Sequence, residues 1–502
     1  MNSFTDVLLV TPPSRKEVYQ SLSNDFAAVE PPVWSSLIAN FLRNKKINVE
    51  ILDAEAQHLT HEQTAQEIIK KESKLIVFVI YGQQPSASTQ CMPGGKKVLD
   101  FLKKNGCDTK TLVMGTHASS LPKKTLEEEG YDYVCQGEGP YTILELVEGI
   151  KKNIKDFSKI PGLWYFDEGE VRFNKSASLI NDLDSELSGQ AWDLLDMSKY
   201  KAHNWHVFNQ PETRNSYASL QTSLGCPFKC TFCCINSPFN SNQIRFWSPK
   251  HIVDQMEFLV KEYSIKNIKI PDEMFVLNPK QVSEICDLMI QKGLNLNIWA
   301  YARIDTLEDP EMLRKMKKAG FNWLAIGVES GSKHVRDGVT KGRFTTDKIY
   351  ETIKRVKDLD FYIGANYIFG LPDDGHSSMQ ETLDMAMKIN SEWVNFYCAM
   401  AYPGSQLHGM ARENGWDLPE NQGGPGWIGY SQHAYETRPL KTDKIKASEV
   451  LDFRDKAFET YFKNTDYLNL AKKRFGDNIN NDIGKMLEHK LKRKHHFEEV
   501  DY

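Results

Sequence analysis

The chain has 502 residues, 40% hydrophobic and 26% charged, with 62 Lys and Arg against 67 Asp and Glu for a formal charge of −5. This is an ordinary globular balance at a length that suggests about two to four domains, and it excludes a disordered, fibrous or general polyanion-binding chain, so no nucleic-acid partner is expected. No apolar run reaches the ~18 residues of a membrane span, and MNSFTDVLLVTPP has no secretory-signal layout, so no membrane and a reducing, cytoplasmic address are expected.

Strand and helix signals alternate through residues 1–150. DVLLVTPP (6–13) predicts a buried strand ending in a Pro-rich turn, and PVWSSLIANFLRNKK (32–46) has helical spacing. NVEILDA (48–54), KLIVFVIYGQQ (74–84), KTLVMGTHASS (110–120) and YDYVCQGEGP (131–140) supply four more strands. The helices EQTAQEIIKKES (62–73), GGKKVLDFLKKNG (94–106) and YTILELVEGIKKN (141–153) separate or follow them. Such alternation predicts a doubly wound parallel sheet of flavodoxin or Rossmann type, with ligands beyond the carboxyl ends of the strands.

Residues 151–215 read as a connector: a hairpin at PGLWYFDEGEVRF (161–173), then an irregular stretch too aromatic for a disordered linker. Alternation resumes over 216–405. The strands are SYASLQTSLG (216–225), NIKIPDEMF (267–275), LNIWAYARID (296–305), WLAIGVES (323–330), FYIGANYIFGLP (361–372) and VNFYCAMAYPG (394–404). Amphipathic segments such as PKHIVDQMEFLVKEYS (249–264) lie between them, which predicts a partial (β/α)6 barrel with its reactive groups at the strand ends. Residues 406–502 are expected to be mainly helical, and the basic run KLKRKHH (490–496) to be the solvated end of the last helix.

Four of the nine cysteines fall within GCPFKCTFCC (225–234), straight after the first barrel strand. A disulfide knot is at odds with a reducing compartment. A structural zinc site needs four ligands, commonly as two knuckles, and His203, His206 and His251 lack that spacing. Cys226, Cys230 and Cys233, spaced C-x3-C-x2-C, are best used as three thiolates of an iron–sulfur cluster with one open iron, and Cys234 as a buried bystander.

CPFKCTFC resembles the signature of the radical S-adenosylmethionine (SAM) superfamily, C-x3-C-x-aromatic-C, with Phe232 as the aromatic residue. The resemblance implies a 4Fe–4S cluster on Cys226, Cys230 and Cys233, whose fourth iron binds the amino and carboxylate groups of SAM, and cleavage of SAM to a 5′-deoxyadenosyl radical. Asp272 and Glu273 in PDEMF are then expected at the SAM amino group, and Arg303 in YARID at its carboxylate. Glu329 and Ser330 in GVESGS are expected at the ribose, with YIFGLPDD (367–374) and YPGS (402–405) on the adenine side.

The domain ahead of the barrel is similar to the cobalamin-binding domain of the cobalamin-dependent radical SAM enzymes, in VTPP, ILDA, GQQPSAST, GTHASSLP and GEGP. That resemblance puts Thr11, Ser86, Ser88, Gly115, Thr116, His117, Gly137, Glu138 and Gly139 at the cofactor, glycines letting backbone approach the corrin. The string D-x-H-x-x-G is missing, so no histidine ligand to cobalt is expected and His117 is expected beside the corrin or capping a helix.

The implied reaction is methylation of an unactivated carbon of a small-molecule substrate by methylcobalamin and the 5′-deoxyadenosyl radical, with an electron from a donor such as flavodoxin or ferredoxin. The alternatives are a non-methylating rearrangement, ring contraction or cyclisation, for which Cys398 is a candidate hydrogen donor, and a non-enzymatic cobalamin or metal sensor.

Overall fold

A computed structural model describes residues 5–82, 87–342 and 344–495. Its first sheet contains β1 (Val7–Thr11), β2 (Val49–Asp53), β3 (Leu75–Val79), β4 (Lys110–Met114) and β5 (Tyr133–Cys135), parallel and in the order β2-β1-β3-β4-β5. The aliphatic runs that predicted these strands are buried because helices cover both faces. The order reverses between β1 and β3, where a doubly wound sheet opens a crevice for ligands. The predicted hairpin is β6 (Leu163–Asp167) and β7 (Glu170–Phe173), and it pairs antiparallel with β5, so the sheet runs on past residue 150.

The helix His61–Lys70 of this unit starts in a capping box of Thr60 and Gln63. The next spans Ala87–Lys104 and runs through Pro93, where the sequence pattern suggested a start at Gly94. The missing N–H costs a helical hydrogen bond. Gly94 and Gly95 compensate by close packing: a Cβ at Gly94 would stand 2.3 Å from the Pro13 carbonyl, and one at Gly95 2.6 Å from Ile80.

In the second α/β unit, β8 (Tyr217–Ser219) is followed by a small antiparallel hairpin, β9 (Ser223–Leu224) with β10 (Arg245–Phe246), which brackets the cysteine loop. The predicted first strand therefore breaks at Leu220–Thr222, because Thr222 N–H turns to the Asp272 carboxylate instead of a strand neighbour. Then come β11 (Asn267–Ile270), β12 (Asn297–Arg303), β13 (Phe321–Glu329), β14 (Tyr362–Phe369) and β15 (Trp393–Cys398). With β8 they form one parallel sheet in chain order, a curled half-barrel. Its helices are sharply terminated: Pro279–Lys292 and Pro310–Ala319 open on Asn278 and Asp309 caps and close on left-handed Gly293 and Gly320.

The connector forms the floor of this half-barrel. Trp205 packs against Trp299, Trp323 and Trp393 with ring centroids 5.2, 5.1 and 6.2 Å away. Beside it Asn322 donates to Asn297 Oδ1 (3.0 Å), and Asn297 to Asn267 Oδ1 (2.9 Å), satisfying amides buried at the strand starts.

The C-terminal region is helical at Ala447–Lys463, Thr465–Phe475 and Ile479–Glu488. The basic run is not a solvated helix end, since the last helix stops at Glu488. Arg493 is buried on Asp455 (2.9 Å) and on the carbonyls of Gln432 (3.0 Å) and Ala434 (3.3 Å). The open side of the half-barrel is closed by both ends of the chain: the Gln20 amide donates to the His433 and Lys492 carbonyls (2.7 and 3.0 Å), and Phe26 meets His489 edge-on at 4.9 Å. Among the described residues no helix is long and apolar enough to cross a membrane.

Candidate functional site

Alternate residues of the parallel strands point into the half-barrel, as the pleat requires. Trp299, Tyr301 and Arg303 of β12, Ala325, Gly327 and Glu329 of β13, and Gly364, Asn366 and Ile368 of β14 all line one chamber of about 600 Å³. The cysteine loop roofs it, with Cys226, Cys230, Cys233 and also Cys234 in the lining beside Phe228 and Phe232.

Among the described residues no three His, Cys, Asp or Glu side chains are grouped to hold one metal ion. A cubane cluster would bind each thiolate to a separate iron, and Cys226, Cys230 and Cys233 all line the one chamber. Each thiol also receives one N–H: Cys226 from the Phe228 backbone, Cys233 from the Ile235 backbone, and Cys230 from Arg303 Nη1 at 3.7 Å. Burial pushes the Cys226 thiol up to about 11 and Cys233 well above its usual range, so taking up iron releases protons. Cys234 is buried, and its thiol is pushed to about 12 by burial.

The expected SAM contacts divide into those that face the chamber and those that do not. Glu273 lines it, and burial raises its carboxyl to about 7. Asp272 does not: its carboxylate accepts from Thr222 N (2.7 Å), Thr222 Oγ1 (2.5 Å) and Ser223 Oγ (2.6 Å), fixing the strand break. Glu329 sits on a bulge of β13 with φ +66°, a conformation disfavoured for a non-glycine residue, and pairs with Lys341 at 2.6 Å. Ser330 turns away, to Thr382 Oγ1 at 3.1 Å. Arg303 is held by Asp305 (2.9 and 3.0 Å), leaving no free fork for a carboxylate. Cys398 also lines the chamber as a neutral thiol, pushed to about 12 by burial.

Sequence reasoning missed several groups on this wall. Lys269 of β11, ion-paired to Glu30 of the first unit at 2.7 Å, is a cation in a buried strand, and Asn366 and Asn395 (2.9 Å apart) are polar residues in buried strands. Those interruptions of apolar runs were the available signal. Lys341 lies in a loop, and Arg454 on a C-terminal helix, with no local pattern to mark them.

A second cavity lies between the two units, beyond the ends of β1 and β3 at the order reversal. Thr11, Pro12, Trp34, Val79, Ile80 and Tyr81 line it from one side, and Gln221, Leu224, Gly225 and Phe239 from the other. Trp34 and Tyr81 stack at 4.7 Å, and Thr116 Oγ1 and Tyr81 Oη are buried on this wall without a hydrogen-bond partner. Aromatic faces with orphaned hydroxyls match the chemistry of a corrin and its amide side chains. The space between the walls is about 140 Å³, less than a corrin fills, so binding must displace part of the wall. The two cavities share Tyr19, Ala87, Gln90, Ile235 and Glu273.

Of the other residues expected at the corrin, Ser86 lies outside the described residues. Ser88 is spent on the Ile80 carbonyl and on His117 N (3.1 Å). Gly115 serves packing, since a Cβ there would stand 2.0 Å from the Ile80 carbonyl, and Gly139 likewise faces Met114 at 2.4 Å. Gly137 donates to Ser119 Oγ (3.2 Å), and a Cβ there would meet only the Pro238 carbonyl, in ordinary contact at 3.9 Å. Glu138 is a structural anion: it pairs with buried Arg245 of β10 at 2.6 Å and accepts from Ile180 N at 2.9 Å. His117 is sealed between Thr89 Oγ1 (3.2 Å) and the Trp427 ring (4.4 Å), and burial pulls it down to about 3, a neutral ring away from the cavity wall.

Comparison with known proteins agrees with this division. Residues 220–386 match the Radical SAM superfamily and residues 21–147 the B12 binding domain. An uncharacterized methyltransferase of Pyrococcus horikoshii is 29% identical over 409 residues, 81% of this chain and 83% of the relative. An anaerobic magnesium-protoporphyrin IX monomethyl ester cyclase of Rubrivivax gelatinosus is 24% identical over 462 residues, 90% of this chain and 77% of the relative. The cobalamin-dependent SAM radical enzyme OxsB, solved with aqua-cobalamin bound, shares the fold with a TM-score of 0.69 at 16% identity, over 97% of this chain and 71% of that one.

Proposed function

We propose that the chain, whose residues 220–386 match the Radical SAM superfamily and 21–147 the B12 binding domain, is a cobalamin-dependent radical SAM enzyme that methylates an unactivated carbon of a small molecule held in the half-barrel chamber. The observation that carries this reading is the shared wall: the corrin-type crevice and the chamber under the cysteine loop meet at Tyr19, Gln90, Ile235 and Glu273. A methyl donor and a carbon acceptor on opposite sides of that wall are within reach of each other without crossing solvent.

When bound, the cluster with SAM supplies a hydrogen-abstracting radical and the cobalamin a transferable methyl group. The protein's share is placement. Cys226, Cys230 and Cys233 hold the cluster, Glu273 takes the SAM ammonium, and Glu329, released from Lys341, takes the ribose hydroxyls. Thr116 and Tyr81 give their unspent hydroxyls to the corrin periphery. The tryptophan floor and the clasp of both chain ends exclude water from the chamber. All nine thiols are free, consistent with a reducing cytoplasm and a small one-electron donor of flavodoxin or ferredoxin type.

A second reading, cyclisation or rearrangement without methyl transfer, is favoured by the cyclase relative, which spans 90% of this chain. One experiment separates them. The full chain is reconstituted anaerobically with iron, sulfide and hydroxocobalamin, reduced, and given methyl-labelled SAM with a small-molecule extract. Label in a new product with 5′-deoxyadenosine supports methylation, and an unlabelled product with 5′-deoxyadenosine supports the second reading.

A further inference from the structure

Arg303 ends β12 at the roof of the chamber, with its side chain 5% exposed. A guanidinium has five N–H donors, and four of those of Arg303 have an acceptor in the structure. Nε donates to Asp305 Oδ1 at 2.9 Å and Nη2 to Asp305 Oδ2 at 3.0 Å, a bidentate pair that consumes the fork. Nη2 also donates to the Lys341 carbonyl. One face of the guanidinium lies 3.8 Å from the centroid of the Phe228 ring, a residue of the cysteine loop. What remains is Nη1, and it points at Cys230 Sγ from 3.7 Å.

The other two thiols receive backbone N–H groups from within their own loop, Phe228 for Cys226 and Ile235 for Cys233. Cys230 alone is shown receiving a side-chain donor, and that donor carries a positive charge. Three independent anchors hold it there, so it cannot swing to a ligand in the chamber without breaking the Asp305 pair and leaving Phe228.

We propose that Arg303 is a positioning residue for the cluster rather than a ligand of the SAM carboxylate, and that its N–H bond to Cys230 raises the cluster's reduction potential. The step concerned is uptake of one electron by the oxidised cluster from an external one-electron donor, which adds one negative charge shared with the thiolates. A charged donor at a thiolate sulfur stabilises the more negative, reduced form. The inference rests on the radical SAM reading of the cysteine loop.

The test uses the full chain, reconstituted with iron and sulfide, with two readouts besides turnover. An EPR-monitored redox titration gives the midpoint of the cluster, and equilibrium binding gives the affinity for SAM. Arg303→Gln is expected to move the midpoint to a more negative potential while SAM affinity stays within about threefold of wild type. An unmoved midpoint, or SAM binding weakened tenfold or more, overturns the proposal. Where R303Q fails to retain iron, Asp305→Asn is titrated instead: relieved of its counter-charge, Arg303 should shift the midpoint upward, and no shift overturns the proposal. A wild-type chain that shows no cluster signal overturns the cluster reading itself, a failure distinct from an unmoved midpoint.

Discussion

Single side chains decide how much of the site is chemistry and how much is scaffold. The cysteines divide three to one in the proposal, so Cys226→Ser, Cys230→Ser or Cys233→Ser should each abolish loading of about four irons per chain, and Cys234→Ser should retain it, as read by iron analysis after anaerobic reconstitution. Asp53 gives a pH signature of unusual sign. Burial pushes its carboxyl from 3.8 to about 7, even though Ala56 N and Tyr200 Oη donate to it at 3.2 and 3.0 Å. Between those values the folded protein holds a proton that the unfolded chain has lost, so the Asp53 contribution to stability is greatest below 3.8 and falls as pH rises to about 7. Asp53→Asn should therefore raise Tm relative to wild type at about pH 8, with the difference shrinking toward about pH 4.5, in parallel thermal melts. An equal shift at both values would show that ionisation of Asp53 is not the cause.

At the scale of elements, a loop that reads as a cofactor contact acts as a joint. Glu138 follows β5 in the sequence GEGP that suggested corrin binding, and its carboxylate is taken by Arg245 of β10, so the pair ties the first sheet to the cysteine hairpin. Both side chains are 6% exposed. Removing one member strands the other charge in the interior, and Glu138→Ala should cost about 3–5 kcal/mol in denaturant unfolding. The βα alternation, the half-barrel and the place of the cysteine loop at a strand end were legible because each is written as a local period or spacing. Inward-facing polar residues such as Asn366 were legible in principle, as interruptions of an apolar strand. What Asp272, Ser330, Ser88 and Glu138 do was not, since each is spent on a partner 29 to 107 residues away in the chain, brought near only by the fold. The same holds for Trp427, whose indole donates to Glu129 at 2.8 Å across 298 residues and seals His117.

In the whole molecule, the chamber is a joint product of every region. The half-barrel gives three walls, the connector the floor, and segments near both chain ends the last side, where Gln20 holds the segment around Lys492. Arg493 anchors that segment to Asp455 of the helix Ala447–Lys463. Arg493→Ala should loosen the run 489–494, making its Lys bonds susceptible to trypsin under native conditions and raising KM for the acceptor while cobalamin content is retained. Unchanged proteolysis would show that the Gln20 contacts suffice.

The tryptophan floor bears on where this protein can be divided. Residues 151–215 read as the link between two units, but Trp205 makes part of them the base on which the second unit stands. A fragment beginning at 216 would be a cup without a bottom. The indoles of Trp299, Trp323 and Trp393, at most 8% exposed in the intact chain, would open to water together. Any chimera that borrows the half-barrel must carry its own plug along, and a severed barrel should be recovered as aggregate rather than as an independent domain.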